Sequence, residues 1–283
     1  MLNHKRSVAV VTDGTSDLPS DIAQAKNITV IPLNVRFGDQ TYQAPGDLTA
    51  DEFFRKLQES RALPTTSQPS VGASVEAYSR LCQTHEAIVS VHISSKLSGT
   101  CGSAQMASQD LRDRCRVEVV DSLSATMGLG FLAMVAADAA NEGKNADEVV
   151  AAVHKAMTRL RILLFVETLE YLQKGGRIGK AQAFLGSLLN LKPLLSLSGG
   201  EIVPVEKVRT RGRAIERLSE TAREQGPIER LSVVYSTTPE DVEAFLAKIG
   251  DVVPRDQVIV AQYGPAIGTH IGPGAMGAVL LLK

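Results

Sequence analysis

Residues 86–104 of the 283-residue chain read EAIVSVHISSKLSGTCGSA, and this stretch shows the pattern from which the fold is predicted. A short run rich in β-branched residues indicates a buried strand. A loop rich in serine, threonine and glycine follows, and then a segment typical of a helix. Similar strand-like runs occur at 7–13, 28–37, 116–122 and 161–168. Amphipathic segments separate them, which predicts an α/β fold with a parallel sheet flanked by helices.

The second half of the chain has a different pattern. Residues 192–208, KPLLSLSGGEIVPVEKV, contain two strand-like runs that meet at two glycines, which predicts an antiparallel hairpin. We therefore expect a mixed sheet with helices there. The length favours two domains, although one large α/β domain is also compatible with it. The change of pattern predicts an N-terminal α/β domain over residues 1–160 and a C-terminal α/β domain over residues 161–283.

Charge and composition exclude several classes of protein. The chain has 30 basic and 31 acidic residues, a formal net charge of -1 and only 4% aromatic residues. Binding to a phosphate backbone needs a net basic surface, and base stacking needs aromatic side chains. We therefore expect no nucleic-acid partner. Three cysteines without Cys-x-x-Cys spacing fit a reducing cytoplasm. The N-terminus lacks the features of a signal peptide, and the most apolar segment, 123–137, is too short to span a bilayer. A soluble cytoplasmic protein is expected.

Residues 11–15, VTDGT, resemble the loop Asp-x-Asp-Gly-Thr of haloacid-dehalogenase phosphatases. Val11 occupies the position of the nucleophilic aspartate, and without that group no aspartyl-phosphate can form. We interpret Asp13 and Thr15 instead as capping residues of the following helix.

Two glycine-rich segments match nucleotide-binding motifs only in part. Gly128 and Gly130 come too far after the preceding strand for a dinucleotide fingerprint, so we expect them inside a helix. Residues 175–180, GGRIGK, lack the first glycine and the final serine or threonine of a phosphate-binding loop. We therefore expect no nucleotide cofactor at either place. Arg177 in the second segment is a candidate anion contact.

Common catalytic and metal-binding patterns are absent from the sequence. The five histidines show no metal-ligand spacing, and there is no Gly-x-Ser-x-Gly motif, so we expect neither a metal site nor an α/β-hydrolase triad. The basic run 209–213, RTRGR, has two interpretations. It forms either a solvated face or a docking or phosphate-facing surface.

Three remaining segments combine small polar residues in predicted loops: 65–70 (TTSQPS), 94–100 (SSKLSGT) and 265–274 (PAIGTHIGPG). Hydroxyls and exposed N–H groups at helix starts are suited to holding an anion. Turn chemistry alone explains each loop when it is considered singly. Whether the three segments bind one anion therefore depends on whether the fold brings them together.

These segments belong to a longer series that resembles the DegV family of bacterial fatty-acid-binding proteins. The matching stretches are TDGTSDLP (12–19), TTSQPS (65–70), ISSKLSGT (93–100), VVDSLSATMGLG (119–130), LEYLQKGGRIGKAQ (169–182), LKPLL (191–195), VRTRGRAI (208–215) and GTHIGPGAMG (268–277). They extend from the first strand to the end of the chain in family-like order.

The resemblance implies a DegV-like fold of two α/β domains that encloses one long-chain fatty acid, such as palmitate, stearate or oleate, in a buried tunnel. It implies a carrier with no cofactor and no catalysis of its own. A separate ATP-dependent fatty-acid kinase would act on the presented carboxyl group and form an acyl-phosphate, in phospholipid metabolism. This role is compatible with transient contact between the protein and a membrane.

The same resemblance implies roles for particular residues. Thr66 and Ser98 match the hydroxyls that bind the fatty-acid carboxylate, and His270 matches the histidine associated with them. Arg177 and Arg209 match arginines that face the kinase or the phosphate. Ordinary core packing is the alternative for each candidate for the tunnel lining. The candidates are the small or flexible residues Gly128, Gly130, Ala133 and Met134, together with Phe184, Leu185 and Leu188.

Two other functions are compatible with these residues. The hydroxyl loops suit an enzyme that acts on a small carboxylated or phosphorylated substrate, although no nucleophile or metal site supports it. A regulatory lipid sensor that works without a kinase is the second alternative. Turnover without a partner protein would favour the enzyme. Loss of kinase coupling with retention of lipid, when Arg177 and Arg209 are neutralised, would favour the carrier.

Overall fold

The computed structural model describes residues 6–60, 62–186 and 191–283. The chain separates into two compact units. The first contains the described residues up to Asn34 together with Ser67–Thr158, and the second contains Val35–Thr66 and Arg159–Lys283. The predicted N-terminal domain over residues 1–160 included Val35–Thr66, which groups here with Arg159–Lys283.

The strands in chain order are β1 (Arg6–Asp13), β2 (Ile28–Ile31), β3 (Leu33–Phe37), β4 (Gln40–Ala44), β5 (Thr65–Ser67), β6 (His85–His92), β7 (Arg116–Asp121), β8 (Leu160–Phe165), β9 (Lys192–Ser198), β10 (Glu201–Val208), β11 (Ile228–Tyr235), β12 (Val258–Gln262) and β13 (Met276–Leu282). The helices are α1 (Ser20–Ala25), α2 (Ala50–Glu59), α3 (Val71–Leu81), α4 (Thr100–Asp110), α5 (Thr126–Asn141), α6 (Ala146–Arg159), α7 (Glu170–Lys174), α8 (Arg211–Glu224), α9 (Pro239–Ile249) and α10 (Pro265–Ile271). Short 3₁₀ turns cover Gly14–Ser16, Gly179–Phe184 and Arg255–Gln257.

The first unit is built on a four-stranded parallel sheet with the order β2-β1-β6-β7. Val11 and Ile88 from the central strands form a core with Tyr78 of α3 and Ala104 of α4. Helix α5 packs against β1 and against the 3₁₀ turn that follows β1. The parallel sheet flanked by helices that the sequence predicted is confirmed.

The second unit contains a mixed six-stranded sheet with the order β10-β9-β8-β13-β11-β12. Only β11 and β12 pair in parallel, while the other pairs are antiparallel. The hairpin of β9 and β10 turns at Gly199 and Gly200, whose φ angles of 58° and 84° lie in the left-handed region that favours glycine. The predicted hairpin and mixed sheet are confirmed. Helices α8 and α9 supply the core on this sheet through residues such as Leu218 and Phe245.

Helix α2 explains why Val35–Thr66 belongs to the second unit. It begins with a capping box, in which Glu52 N–H donates to Thr49 Oγ1 and Thr49 N–H donates to the Glu52 carboxylate. Its buried face carries Phe53 and Phe54, and both rings lie against Gly268 of α10, where an added Cβ would be 2.7 Å from Phe53 Cε1. Such a contact between distant positions leaves no mark on the local pattern.

Strands β3 and β4 precede α2 in the chain and β5 follows it, and the three strands form a sheet with the order β4-β3-β5. The chain passes from one unit to the other within β3 and again within β5. Residues 28–37, predicted as one strand, form β2 and β3 with a break at Pro32, which has no N–H to donate to a ladder. Residues 265–274, predicted as a loop, contain α10, which begins with Pro265 at a position where a helix needs no donor.

Candidate functional site

The order of the parallel strands marks one edge of the first unit. Because β1 lies between β2 and β6, the chain leaves β1 toward β2 and leaves β6 toward β7, in opposite directions. Open α/β sheets bind ligands at the carboxyl ends of strands at such a switch point. Here these ends are Asp13 and His92, and the loop that carries Ser98 follows directly after β6.

Asp13 joins the two strand ends through a fully buried carboxylate. Its Oδ2 accepts hydrogen bonds from His92 Nδ1 at 2.9 Å and from the Ile93 N–H at 3.1 Å. Its Oδ1 accepts from the N–H of Thr15 at 3.0 Å and from the Thr15 hydroxyl. Burial alone raises the pKa of Asp13, but the hydrogen bonds and the charge of His92, with the other donors, outweigh it and lower the pKa. Asp13 caps the following 3₁₀ turn, while Thr15 lies within it.

The buried network continues from His92 into the sheet. His92 Nε2 lies 2.7 Å from Ser90 Oγ, which in turn lies 2.8 Å from the hydroxyl of Tyr78. Burial raises the pKa of Tyr78 to about 12, so its phenol stays protonated. Ser90, His92 and Asp13 are ordered like a hydrolytic triad, but all three have an exposure of 0%. A substrate has no access to them, and the network ties β1, β6 and α3 together.

The loop after β6 holds Ser98 at the start of α4. The Ser98 N–H donates to Ser94 O at 3.1 Å, and the Ser98 hydroxyl lies 2.8 Å from Thr100 Oγ1. The Ser98 side chain is partly buried. Next to it, an added Cβ at Gly99 would lie 2.7 Å from the amide of Gln68, so the Gln68 side chain packs closely on this glycine. Hydrogen bonds at both ends of the loop thus hold the Ser98 hydroxyl in place.

The second unit brings Thr66 and His270 together. Thr66 Oγ1, in β5, lies 2.9 Å from His270 Nε2, in α10. Nδ1 of His270 is buried and has no hydrogen-bond partner among the residues that the structure describes. Burial lowers the pKa of His270 to about 4, and the positive charge of Arg177 acts in the same direction. The imidazole is therefore neutral at pH 7.

Two glycines allow close packing between α10 and α7. Gly272 follows α10 and lies against Tyr171 of α7, and Gly175 follows α7 and lies against His270 of α10. An added Cβ at Gly272, which has a φ of 72°, would lie 2.8 Å from Cγ of Tyr171 and would overlap its ring. An added Cβ at Gly175 would overlap Nδ1 of His270. Arg177 Nη1 donates to Gly175 O at 2.6 Å, which keeps the guanidinium close to the imidazole. Three of the predicted site residues, Thr66, His270 and Arg177, are thus neighbours in this unit.

The basic run 209–213 is not a uniformly solvated face. Arg209 is exposed, and Arg213 forms ion pairs with Glu216 and Glu220 at the surface. Between them, Arg211 is partly buried in a set of contacts that the sequence did not predict. It pairs with Asp241 and Glu167, donates to Gly274 O at 2.8 Å and to Thr238 Oγ1 at 2.5 Å, and lies 5.2 Å from the centre of the Phe165 ring.

Arg211 therefore holds the segment between α10 and β13 against α9 and the end of β8. A pattern of alternating arginines contains no signal for this role, because its partners lie far away along the chain.

The candidate tunnel residues lie in both units. Gly128, Gly130, Ala133 and Met134 are buried within α5, as predicted for the two glycines, and an added Cβ at Gly130 would lie 3.0 Å from Ser16 O. Phe184 and Leu185 belong to the second unit, where Lys207 Nζ lies 4.4 Å from the centre of the Phe184 ring. Leu188 lies outside the described residues.

Within residues 6–60, 62–186 and 191–283, no group of three or more His, Cys, Asp or Glu side chains is arranged to hold a metal ion. None of the helices in these ranges is long and apolar enough to cross a membrane.

Cys82, Cys101 and Cys115 are buried thiols. Burial raises the pKa of Cys101 to about 11, and the nearby carboxylates of Asp121 and Asp13 add to the effect, so this thiol is not an activated nucleophile.

Comparisons with known proteins agree over almost the full length of the chain. The DegV family model, described as an uncharacterised protein family, matches residues 7–283. A DegV domain-containing protein of Streptomyces coelicolor is 39% identical over 280 residues, which cover 97% of this chain and 98% of that protein.

Two solved structures resemble this one closely. A DegV family protein from Thermus thermophilus, whose structure was named for fatty acid binding, has a TM-score of 0.91 and 34% identity over 98% of this chain and 100% of its own. DegV from Bacillus subtilis, described as a fatty acid binding protein, has a TM-score of 0.88 and 34% identity over 99% of this chain and 100% of its own.

Proposed function

The chain belongs to the DegV family, and we propose that it binds one long-chain fatty acid in a buried tunnel. The observation that carries this proposal is the neutral pair of Thr66 and His270, joined at 2.9 Å and close to Arg177. The two solved relatives that are named for fatty acid binding support it.

The carboxylate end of the ligand needs hydrogen-bond donors wherever it leaves water. In our proposal the hydroxyls of Thr66 and Ser98, together with His270, supply that environment. Hydroxyl groups donate without adding a fixed charge, and His270 is neutral at pH 7. A carboxylate held in this way keeps electron density on an oxygen that can act as a nucleophile.

The apolar tail supplies most of the binding free energy. Burial contributes roughly 0.8 kcal/mol per CH₂, so about 14 methylenes contribute on the order of 11 kcal/mol before the costs of association. The head-group residues then serve mainly to fix the orientation of the acid. Changes at Thr66, Ser98 or His270 should accordingly cost the free energy of the hydrogen bond that is lost and disturb how the carboxyl is presented, while most of the binding free energy of the tail remains.

We further propose that the chain presents the carboxyl to a separate ATP-dependent fatty-acid kinase. A carboxylate oxygen would attack the γ-phosphorus of ATP, a new O–P bond would form, and ADP would leave, which yields an acyl-phosphate. Arg177 and the exposed Arg209 would face the kinase or the transferred phosphate. This role places the protein in the cytoplasm, where ATP is supplied, and allows transient contact with a membrane.

Titration of the delipidated chain with oleate tests the binding proposal. We expect saturable uptake of one oleate per chain, and an absence of uptake would overturn the binding proposal.

Adding a fatty-acid kinase and ATP to the oleate-loaded chain tests the presentation of the carboxyl to a kinase. The double variant Arg177→Gln and Arg209→Gln should keep oleate but lose phosphorylation, whereas turnover of a small carboxylated substrate without any partner would favour an enzyme.

A further inference from the structure

The contact between Gly175 and His270 bears on where the imidazole carries its proton. A Cβ built on Gly175 would lie 3.1 Å from Cε1 of His270 and would overlap Nδ1. In glycine, a Cα hydrogen occupies that direction, so a C–H group points at Nδ1. Nδ1 is buried and has no hydrogen-bond partner among the described residues. The ring therefore rests on the backbone of Gly175 with Nδ1 toward it.

This contact favours a lone pair on Nδ1. A lone pair accepts a weak hydrogen bond from a Cα–H group. A proton on Nδ1 would instead meet the Cα hydrogen and would be a buried donor without an acceptor, which is costly. In a neutral imidazole, one nitrogen carries the proton and the other accepts. The proton consequently lies on Nε2, 2.9 Å from Thr66 Oγ1.

The tautomer determines what Thr66 can do. If Nε2–H donates to Thr66 Oγ1, the single hydroxyl proton of Thr66 is available to another acceptor. An ionised carboxylate is an acceptor only, whereas a protonated acid also needs an acceptor for its own O–H. We infer that Gly175 is a positioning residue that keeps the proton of His270 on Nε2 and thereby makes Thr66 a donor to an ionised carboxylate.

The surroundings of the imidazole favour a neutral ring, because burial disfavours its charged form. The segment after α7 contributes the cation Arg177, whose charge disfavours a second cation beside it. The inference rests on the proposed function only for the identity of the carboxylate, because the tautomer is a property of the ligand-free chain.

Nitrogen NMR of the delipidated chain with ¹⁵N-labelled histidine tests the tautomer directly. The variant His270→Gln identifies the two signals of His270 among the five histidines. We expect a neutral ring at pH 7 with the proton on Nε2. A proton on Nδ1, or a doubly protonated ring at this pH, would overturn the inference whatever the chain binds.

The variant Gly175→Ala tests the positioning role. Its Cβ must displace the imidazole, so we expect altered His270 signals and an oleate affinity lowered at least about tenfold, as for the loss of a hydrogen bond to a charged group. Gly212→Ala is the matched control, because Gly212 lies in the same unit with no atom within 4 Å of an added Cβ. Unchanged His270 signals and affinity in Gly175→Ala would contradict the inference. Failure of the wild-type chain to bind oleate would instead contradict the proposed function.

Discussion

Nε2 of His270 lies 2.9 Å from the hydroxyl of Thr66, although 204 positions separate the two residues in the chain. Thr66 is held by the short strand β5, and His270 is held by α10, which packs against α2 and α7 through glycines. A neutral histidine beside a threonine provides hydrogen bonding without fixed charge. This pair is the basis of the proposed head-group site.

Replacing Thr66 by valine removes the hydroxyl and keeps nearly the same volume. If Thr66 donates to the carboxylate, Thr66→Val should weaken oleate binding by about ten- to a hundredfold, the cost of one hydrogen bond to a charged group. Titration calorimetry on the delipidated protein measures the effect. Thr65→Val is the control, since Thr65 is exposed in the same strand and its side chain points to the other side. Equal losses in both variants would argue against a specific role for Thr66.

Ser98→Ala should impair phosphorylation of the bound acid more than retention of its tail, because the tail dominates the binding free energy. The measurement compares acyl-phosphate formation by a fatty-acid kinase with oleate affinity, for this variant and for Ser95→Ala. Ser95 lies in the same loop with an exposed side chain and should tolerate the change. An equal fall of both quantities in Ser98→Ala contradicts the division of roles between head group and tail.

The lowered pKa of His270 predicts a pH dependence of stability. The pKa falls from 6.5 to about 4 on folding, so the unfolded chain binds the proton more readily. Stability from this group is complete above pH 6.5 and decreases as the pH falls toward 4, by up to about 3 kcal/mol. Folding lowers the pKa of Asp13 below 3.8, so the stability that Asp13 contributes is present above that pH and is lost only at lower pH.

Urea unfolding of the wild type, His270→Gln and the control His154→Gln at pH 7 and pH 4.5 checks this dependence. His154 is exposed. His270→Gln should lose less stability between the two pH values than either of the other chains. A loss equal to that of the wild type would show that His270 is protonated normally in the folded protein.

Asp13→Asn should destabilise the first unit by about 3 kcal/mol. The change removes the charge that accepts from His92, Thr15 and Ile93, and it leaves buried donors poorly paired. Asp113→Asn, at an exposed position, should leave stability within about 0.5 kcal/mol. Chemical denaturation provides the comparison. Equal stability of the two variants would mean that the Asp13–His92 pair does not hold the strand ends together.

Arg211→Lys should destabilise the second unit by about 2 kcal/mol, because lysine cannot reproduce the planar set of donors to Asp241, Thr238 and Gly274. Arg213→Lys is the control, since surface pairs contribute little. Thermal unfolding measures both. A smaller effect in Arg211→Lys than in Arg213→Lys would contradict the assignment of Arg211 as the residue that holds the segment before β13.

Local patterns allowed much of the fold to be predicted from the sequence. Strand and helix alternation and the Gly199–Gly200 hairpin each depend on residues that are close together in the chain. The membership of Val35–Thr66 in the second unit depends instead on Phe53 and Phe54 packing near Gly268. Contacts of that kind have no local signal.

The sequence predicted some of the residues of the candidate site but not the contacts among distant residues. Thr66, Ser98, His270 and the two arginines were named from a family resemblance, and their arrangement stays a proposal beyond the neighbours found in the second unit. The Asp13–His92 network and the Arg211 contacts were not predicted, because each forms between residues that are distant in sequence. The position of Asp13 and His92 could have suggested the network, because each residue ends a strand at the switch point of the sheet.

The lipid that the purified chain carries tests the central claim most directly. Extraction of the protein with organic solvent, followed by mass spectrometry and quantification against protein, should yield one long-chain fatty acid per chain. An extract free of fatty acid, combined with no uptake of added oleate by the same preparation, would contradict the account.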